Sequence, residues 1–151
     1  MTDEAPAQAL PLAPGAFVYR RRVQFAETDL AGIVHFSWYF KYMEEAEHAL
    51  FRAGGLSVAH DGLHWPRVNA RCEYKQPLRF EDEIEVHVRA GFGRRRMQYG
   101  FEIVRGGAVV ATGVMTSVCA RTNASGALET IEVPADVVER LRGVLQQGPS
   151  A

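Results

Sequence analysis

Cysteine is nearly missing from this 151-residue chain, which carries only Cys72 and Cys119. Two thiols so far apart do not staple a small secreted scaffold. Both sit in apolar-alternating runs, where cysteine reads as a small buried hydrophobe. No stretch approaches the roughly 20 apolar residues of a membrane-spanning helix. Net charge is missing as well: 17 Lys and Arg against 18 Asp and Glu leave −1. No global field therefore draws the chain to nucleic acid or to an anionic membrane, and any preference for a polyanion must come from a local basic cluster. His35, His48, His60, His64 and His87 lack paired ligand spacing of the H-E-x-x-H kind, so no metal site is expected. Neither a G-x-G-x-x-G nor a P-loop run occurs. The start of the chain offers Asp3 and Glu4, then Ala and Pro, in place of a basic leader. It is not a signal peptide, and a cytoplasmic location is the expectation.

What is present is an ordinary globular balance of 47% hydrophobic and 23% charged residues, at a length suited to one core. Residues 1–15, rich in Ala and Pro without periodicity, read as a disordered arm, and residues 146–151 as a flexible tail. The domain is expected over 16–145. Phe17, Tyr19, Val23 and Phe25 share one parity, with Arg20, Arg22 and Gln24 on the other, the pattern of a half-buried strand. A Gly-containing loop follows over 26–36. From Ser37 the period changes: Tyr39, Tyr42, Met43, Ala46, Ala49, Leu50 and Ala53 form a helical stripe, with Ser37 as N-cap and Gly54-Gly55 as stop. Phe40 and Phe51 lie off that stripe, so other elements should wrap the helix. Four strand patterns come next, at 68–75, 83–90, 97–103 and 108–121, with Gly106-Gly107 as a tight hairpin. Pro134 at a first helical turn, followed by Val137, Val138, Leu141 and Val144, predicts a short closing helix. The class is α+β: one long helix against an antiparallel sheet. The long last strand would expose an edge, which pairing with a second copy, sheet beside sheet, would cover.

The chemistry concentrates in residues 25–40, FAETDLAGIVHFSWYF. Asp29 stands in a loop about eight residues before the helix, with Gly32 beside it. A helix start presents unpaired N–H groups and a positive dipole end, able to polarise a thioester carbonyl and hold the oxyanion formed on attack. A nearby carboxylate can attack that carbonyl or activate a water. A loop aspartate before a helix also reads as a cap or turn former.

Phe25, Thr28, Asp29, Gly32, Ile33, Val34, His35 and Phe36 stand in register with the signature of the 4-hydroxybenzoyl-CoA thioesterase family and its YbgC-like relatives, which this chain resembles over roughly residues 17–142. A second match is Ile131-Glu132-Val133-Pro134-Ala135-Asp136, which is similar to the family's entry to its last helix. The resemblance implies the hotdog fold, a curved antiparallel sheet wrapped around one long central helix with a short C-terminal helix. It implies acyl-CoA thioester hydrolysis without a cofactor, coenzyme A being part of the substrate. Asp29 would be the catalytic carboxylate, as nucleophile or general base, and the backbone N–H of Phe36 would polarise the thioester carbonyl. Gly32 would let the backbone turn closely there. A homodimer or a dimer-of-dimers homotetramer follows, with the site at a subunit boundary.

His35 is a candidate second acid-base group or thioester contact, or else a packed or surface histidine. Of the helix glutamates, Glu45 is the one expected to face the pocket mouth. Arg94 and Arg95, in the turn that also holds Arg96, are candidates to grip the CoA phosphates, with a solvated hairpin tip as the other reading. Some relatives carry arginines just before the second motif, where this chain has Ala127 and Glu129. His64 and Trp65, leading into the 68–75 strand, should line the acyl pocket. Two other functions fit the pattern less closely: a hotdog hydratase or dehydratase using His35 and a helix glutamate, which leaves Asp29 idle, and a non-catalytic acyl-CoA-binding module.

Overall fold

The computed structural model describes residues 9–148. In chain order it contains β1 (Phe17–Arg22), a 3-10 turn (Phe25–Glu27), α1 (Trp38–Ala53), a second 3-10 turn (His60–Gly62), β2 (Leu63–His64), β3 (Arg67–Tyr74), β4 (Glu83–Phe92), β5 (Arg96–Arg105), β6 (Ala108–Val118), β7 (Ala120–Thr122), β8 (Leu128–Thr130) and α2 (Ala135–Gln147). Five strands form one antiparallel sheet in the order β1-β4-β5-β6-β3, and β2-β7-β8 form a smaller one. The large sheet curves around α1, the hotdog arrangement.

The period-2 and period-3.6 patterns meet face to face. Ile84, Val86, Val88 and Ala90 of β4 and Met97, Tyr99, Phe101 and Ile103 of β5 are buried. They join Tyr39, Tyr42, Met43, Ala46 and Leu50 of α1 in one core. Each fully buried large apolar side chain there contributes about 1.5–3 kcal/mol. Gly113 sets how closely helix and sheet approach: a Cβ at that position would come 2.4 Å from Met43 Sδ. Phe51, off the helical stripe, is buried all the same and meets Trp65 edge to face at 5.7 Å.

Several sequence expectations need correction. The 108–121 strand is not continuous. At Cys119 the backbone bonds leave the large sheet for Arg95 and Ile131, and β7 joins the small sheet with β2 and β8. The edges of the large sheet are β1 and β3, not the last strand, because β6 lies between β5 and β3. β1 stops at Arg22, and Phe25 is exposed at the start of the 3-10 turn. Ser37 occupies the N-cap position without a side-chain cap, and Pro134 immediately precedes α2. Residues 9–15 of the expected arm are bonded to the large sheet at two points. Leu10 N donates to Gln98 Oε1 at 2.9 Å and Ala13 N to Ala90 O at 2.7 Å. Leu10 and Leu12 settle over Gly91, Gly93 and Gly100 on the outer sheet face, where no side chain stands in their way. The rest of the expected arm, residues 1–8, lies outside the described residues. At the other end α2 takes in Gln146 and Gln147, and residues 149–151 of the expected tail lie outside the described residues.

Candidate active site

The loop between β1 and α1 is built as a closed turn. Thr28 and Val34 form an antiparallel bridge. Asp29 N donates to Ile33 O at 2.8 Å and Gly32 N to Asp29 O at 2.9 Å. Gly32 sits at φ +74°, where a side chain would strain the backbone. The Asp29 carboxylate does the work of a turn former, its Oδ1 accepting from Ala31 N at 2.8 Å. Its Oδ2 takes no hydrogen bond among the described residues, and the side chain is exposed. One oxygen is thus held and the other is available.

Further along the loop, His35 is held at both its own N–H and its carbonyl. His35 N donates to Glu27 O at 2.9 Å, and His35 O accepts from Trp38 N at 3.0 Å. A trans peptide directs its N–H opposite to its carbonyl. With His35 O turned to the helix start, Phe36 N–H points away from it, and it has no partner among the described residues. Tyr74 OH donates to Phe36 O at 2.9 Å. Burial first, and Cys72 beside it second, push the Tyr74 hydroxyl up to about 12, so it stays a donor throughout the neutral range.

Asp29 borders two clefts. One, of about 360 Å³, is lined by Asp29, Ile33, Val34, Phe36, Tyr39 and Tyr74, with Lys75, Gln76 and Pro77 at its rim. The other, of about 720 Å³, runs past Phe25, Thr28, Gly32, His35 and Trp38. Asp29 and Phe36 therefore line one cleft, with the rings of Tyr39 and Tyr74 beside them. A depression of similar size, about 740 Å³, lies on the β1–β4 side and does not touch the Asp29 loop. Its Arg20 and Arg22 are already paired with Glu85 and Glu83.

Of the sequence-selected residues, Asp29, Gly32, His35 and Phe36 come together. His35 is exposed, stacks on Phe36 at 4.5 Å and shares Nδ1 with Ser37 Oγ at 2.7 Å. Glu45 does not join them. It takes Arg21 on both oxygens at 2.8 Å and Tyr19 OH at 3.0 Å, and it lines neither Asp29 cleft. A helix position ten residues past His35 has turned toward β1. His64 and Trp65 line a separate cleft of about 300 Å³ with Glu44, Glu47, His48 and Arg67, at the opposite end of β3 from Tyr74. Arg94 pairs with Glu132 at 2.7 Å, and Arg95 is exposed beside it at the β4–β5 turn.

Sequence reading passed over Tyr39, Tyr74, Arg21 and Glu27. A signal existed for Arg21: it falls on the inward parity of β1 with Tyr19 and Val23, where a charge demands a buried partner.

A family model described as the thioesterase-like superfamily matches residues 23–141. The chain belongs to that superfamily. A protein of Aquifex aeolicus named "Putative esterase" is 53% identical over 75 residues, 48% of this chain and 59% of that protein. The chain thus spans less than two thirds of that relative. The 1,4-dihydroxy-2-naphthoyl-CoA hydrolase of Synechococcus elongatus is 26% identical over 109 residues, 68% of this chain and 80% of that one. Among solved structures, a hypothetical protein from Aquifex aeolicus superposes with TM-score 0.77 at 35% identity, covering 83% of this chain and 98% of that one.

Proposed function

We propose that this thioesterase-like protein hydrolyses an acyl-coenzyme A, and that Asp29 is its reacting carboxylate. One observation carries the reading: Asp29, whose Oδ2 takes no hydrogen bond among the described residues, and Phe36, whose N–H has no partner among them, line the same cleft. The thioester carbonyl oxygen accepts from Phe36 N–H, which stabilises negative charge as it develops there. Asp29 then acts in one of two ways. As nucleophile it bonds to the carbonyl carbon, the C–S bond breaks, CoA leaves as thiolate, and water hydrolyses the anhydride. As general base it takes a proton from the water that attacks. Water and one carboxylate suffice, with no cofactor.

The acyl group is aromatic in this proposal. Phe36, Tyr39 and Tyr74 offer flat rings beside the reacting carboxylate, and the Synechococcus relative is named for a naphthoyl ester. The working unit is a homodimer or a dimer of dimers. β3 is an edge strand with Val68 58% and Tyr74 45% exposed. Antiparallel pairing of two copies about the middle of β3 would bring one copy's Arg67 end, with His64 and Trp65, beside the other's Tyr74 end and Asp29. Arg94 and Arg95 meet the CoA phosphates, Arg94 exchanging Glu132 for phosphate.

The test is thiol release from benzoyl-, hydroxybenzoyl-, hexanoyl- and palmitoyl-CoA, with wild type and Asp29→Asn side by side. Turnover that depends on Asp29 and favours the aryl esters is the expected result. Near-normal hydrolysis by Asp29→Asn would sink the assignment.

A further inference from the structure

Beneath the loop lies a buried ionic network that the proposed chemistry does not use. Glu27 is 4% exposed. Its carboxylate accepts from Arg21 Nη2, from Tyr42 OH at 2.7 Å and from Gln24 N at 2.9 Å. The Arg21 side chain, 11% exposed, spends its other nitrogens on Glu45 and on Arg22 O. Its guanidinium also stands 4.4 Å from the centre of the Tyr42 ring. Burial, followed by the bond to Glu27, raises the Tyr42 hydroxyl above its ordinary range, so it remains a donor. Glu27 and Tyr42 are buried and line neither of the two Asp29 clefts.

Its position relative to the loop is what matters. The backbone carbonyl of Glu27 accepts the His35 N–H and so holds one end of the residue whose carbonyl orients Phe36 N–H. Tyr42 lies against both rings that flank Asp29: Trp38 at 6.3 Å, which borders one cleft, and Tyr39 at 6.1 Å, which borders the other. A buried carboxylate bound by an arginine, a tyrosine and a backbone N–H has one low-energy position. The 3-10 turn that carries it leads directly into Thr28 and Asp29.

We infer that Glu27, held by Arg21 and Tyr42, is a positioning residue for hydrolysis: it sets the orientation of the His35–Phe36 peptide and the rim of both clefts without touching substrate. This rests on the thioesterase reading and adds to it. Oxyanion stabilisation depends on a donor aimed in advance, and a small misplacement of a catalytic group costs about a hundredfold in rate. Glu27→Gln removes the charge that fastens Arg21 while keeping the side chain's size. Tyr42→Phe removes only the hydroxyl and keeps the ring in the core.

The experiment uses the full-length protein and whichever of the four esters the wild type hydrolyses fastest. Well below the melting temperature, Glu27→Gln should lose about tenfold to a hundredfold in kcat with KM within about threefold. Tyr42→Phe should lose less in the same direction. Ile103→Val, a core change two strands from Arg21 in the sheet, should lower the melting temperature and leave kcat alone. Amide exchange at His35 should quicken in Glu27→Gln. Wild-type kcat in both network variants would overturn the inference, as would a matching kcat loss in Ile103→Val. Absence of turnover by the wild type on every ester would sink the thioesterase reading by itself. The His35 exchange then decides whether Glu27 holds the loop, unchanged protection in Glu27→Gln counting against it.

Discussion

The two ends of β3 treat charge in opposite ways. At the Tyr74 end, the Asp29 carboxylate is exposed, has one oxygen in a turn and leaves the other unbonded among the described residues. At the Arg67 end, Glu47 is 2% exposed and bound by Arg67 Nη1, which also donates to Ser117 Oγ at 2.6 Å. Burial pushes the Glu47 carboxyl above its usual range, against the pull of Arg67. Both carboxylates border a cleft. What separates them is burial and an opposite charge. Glu47 is enclosed and paired with Arg67, the mark of a structural carboxylate, whereas Asp29 stands at an open wall with no cation paired to it among the described residues.

The sharpest way to break this contrast is Asp29→Asn. It should cost about a hundredfold to ten-thousandfold in hydrolysis and shift stability by no more than about 0.5 kcal/mol, as an exposed substitution does. A thiol-release assay and a thermal melt on the same preparation read both. Arg67→Met is the mirror image. It leaves Glu47 buried and uncompensated, so stability should fall by about 3–5 kcal/mol in urea unfolding. Changing Glu47 to Gln in the same chain should restore a large part of the loss.

Charge reversal of Arg94 and Arg95 asks whether exposed charges at a third place bind anything. The Michaelis constant for a CoA ester should rise about threefold to tenfold, with no change for a CoA-free thioester. Equal effects on both substrates would remove these arginines from phosphate binding. The smallest effect expected is on pH dependence. The folded Glu47 carboxyl titrates above its ordinary value of 4.5. Its contribution to stability is therefore full below that value and is lost as pH rises through the folded one. Wild type should gain stability relative to Glu47→Gln as pH falls from 8 toward 4, and a constant difference in melting temperature across that range would contradict the raised value.

Much of the frame was legible because periodicity is local. The α1 stripe and the alternation of β4 and β5 each follow from residues within one element; β4 and β5 bury the set their alternation marks, while α1 buries five of its seven stripe residues together with Glu47 and Phe51. The closed loop around Asp29 was legible from Gly32 and from the motif, since a turn is also a short-range event. Charged residues at inward positions were the overlooked signal. Arg21 on β1 and Glu47 on the apolar side of α1 break their own patterns, and each break marks a buried pair.

Sequence alone therefore settled the order of the main elements, most of the core-facing residues of α1, β4 and β5, and the turn that holds Asp29. Side-chain spacing along one strand or helix decides all three. Tertiary structure decided which strands became the edges, where the last strand left its sheet and what each charged side chain bound. Glu45 turned to Arg21, Arg94 to Glu132 and Glu47 to Arg67. Each of those partners lies 20 or more residues away in the chain. Only the packing of α1 on the sheet, and of the C-terminal segment on the β4–β5 turn, brings such charges within a few ångströms. An ion pair is a matter of distance in space, which spacing along the chain does not carry.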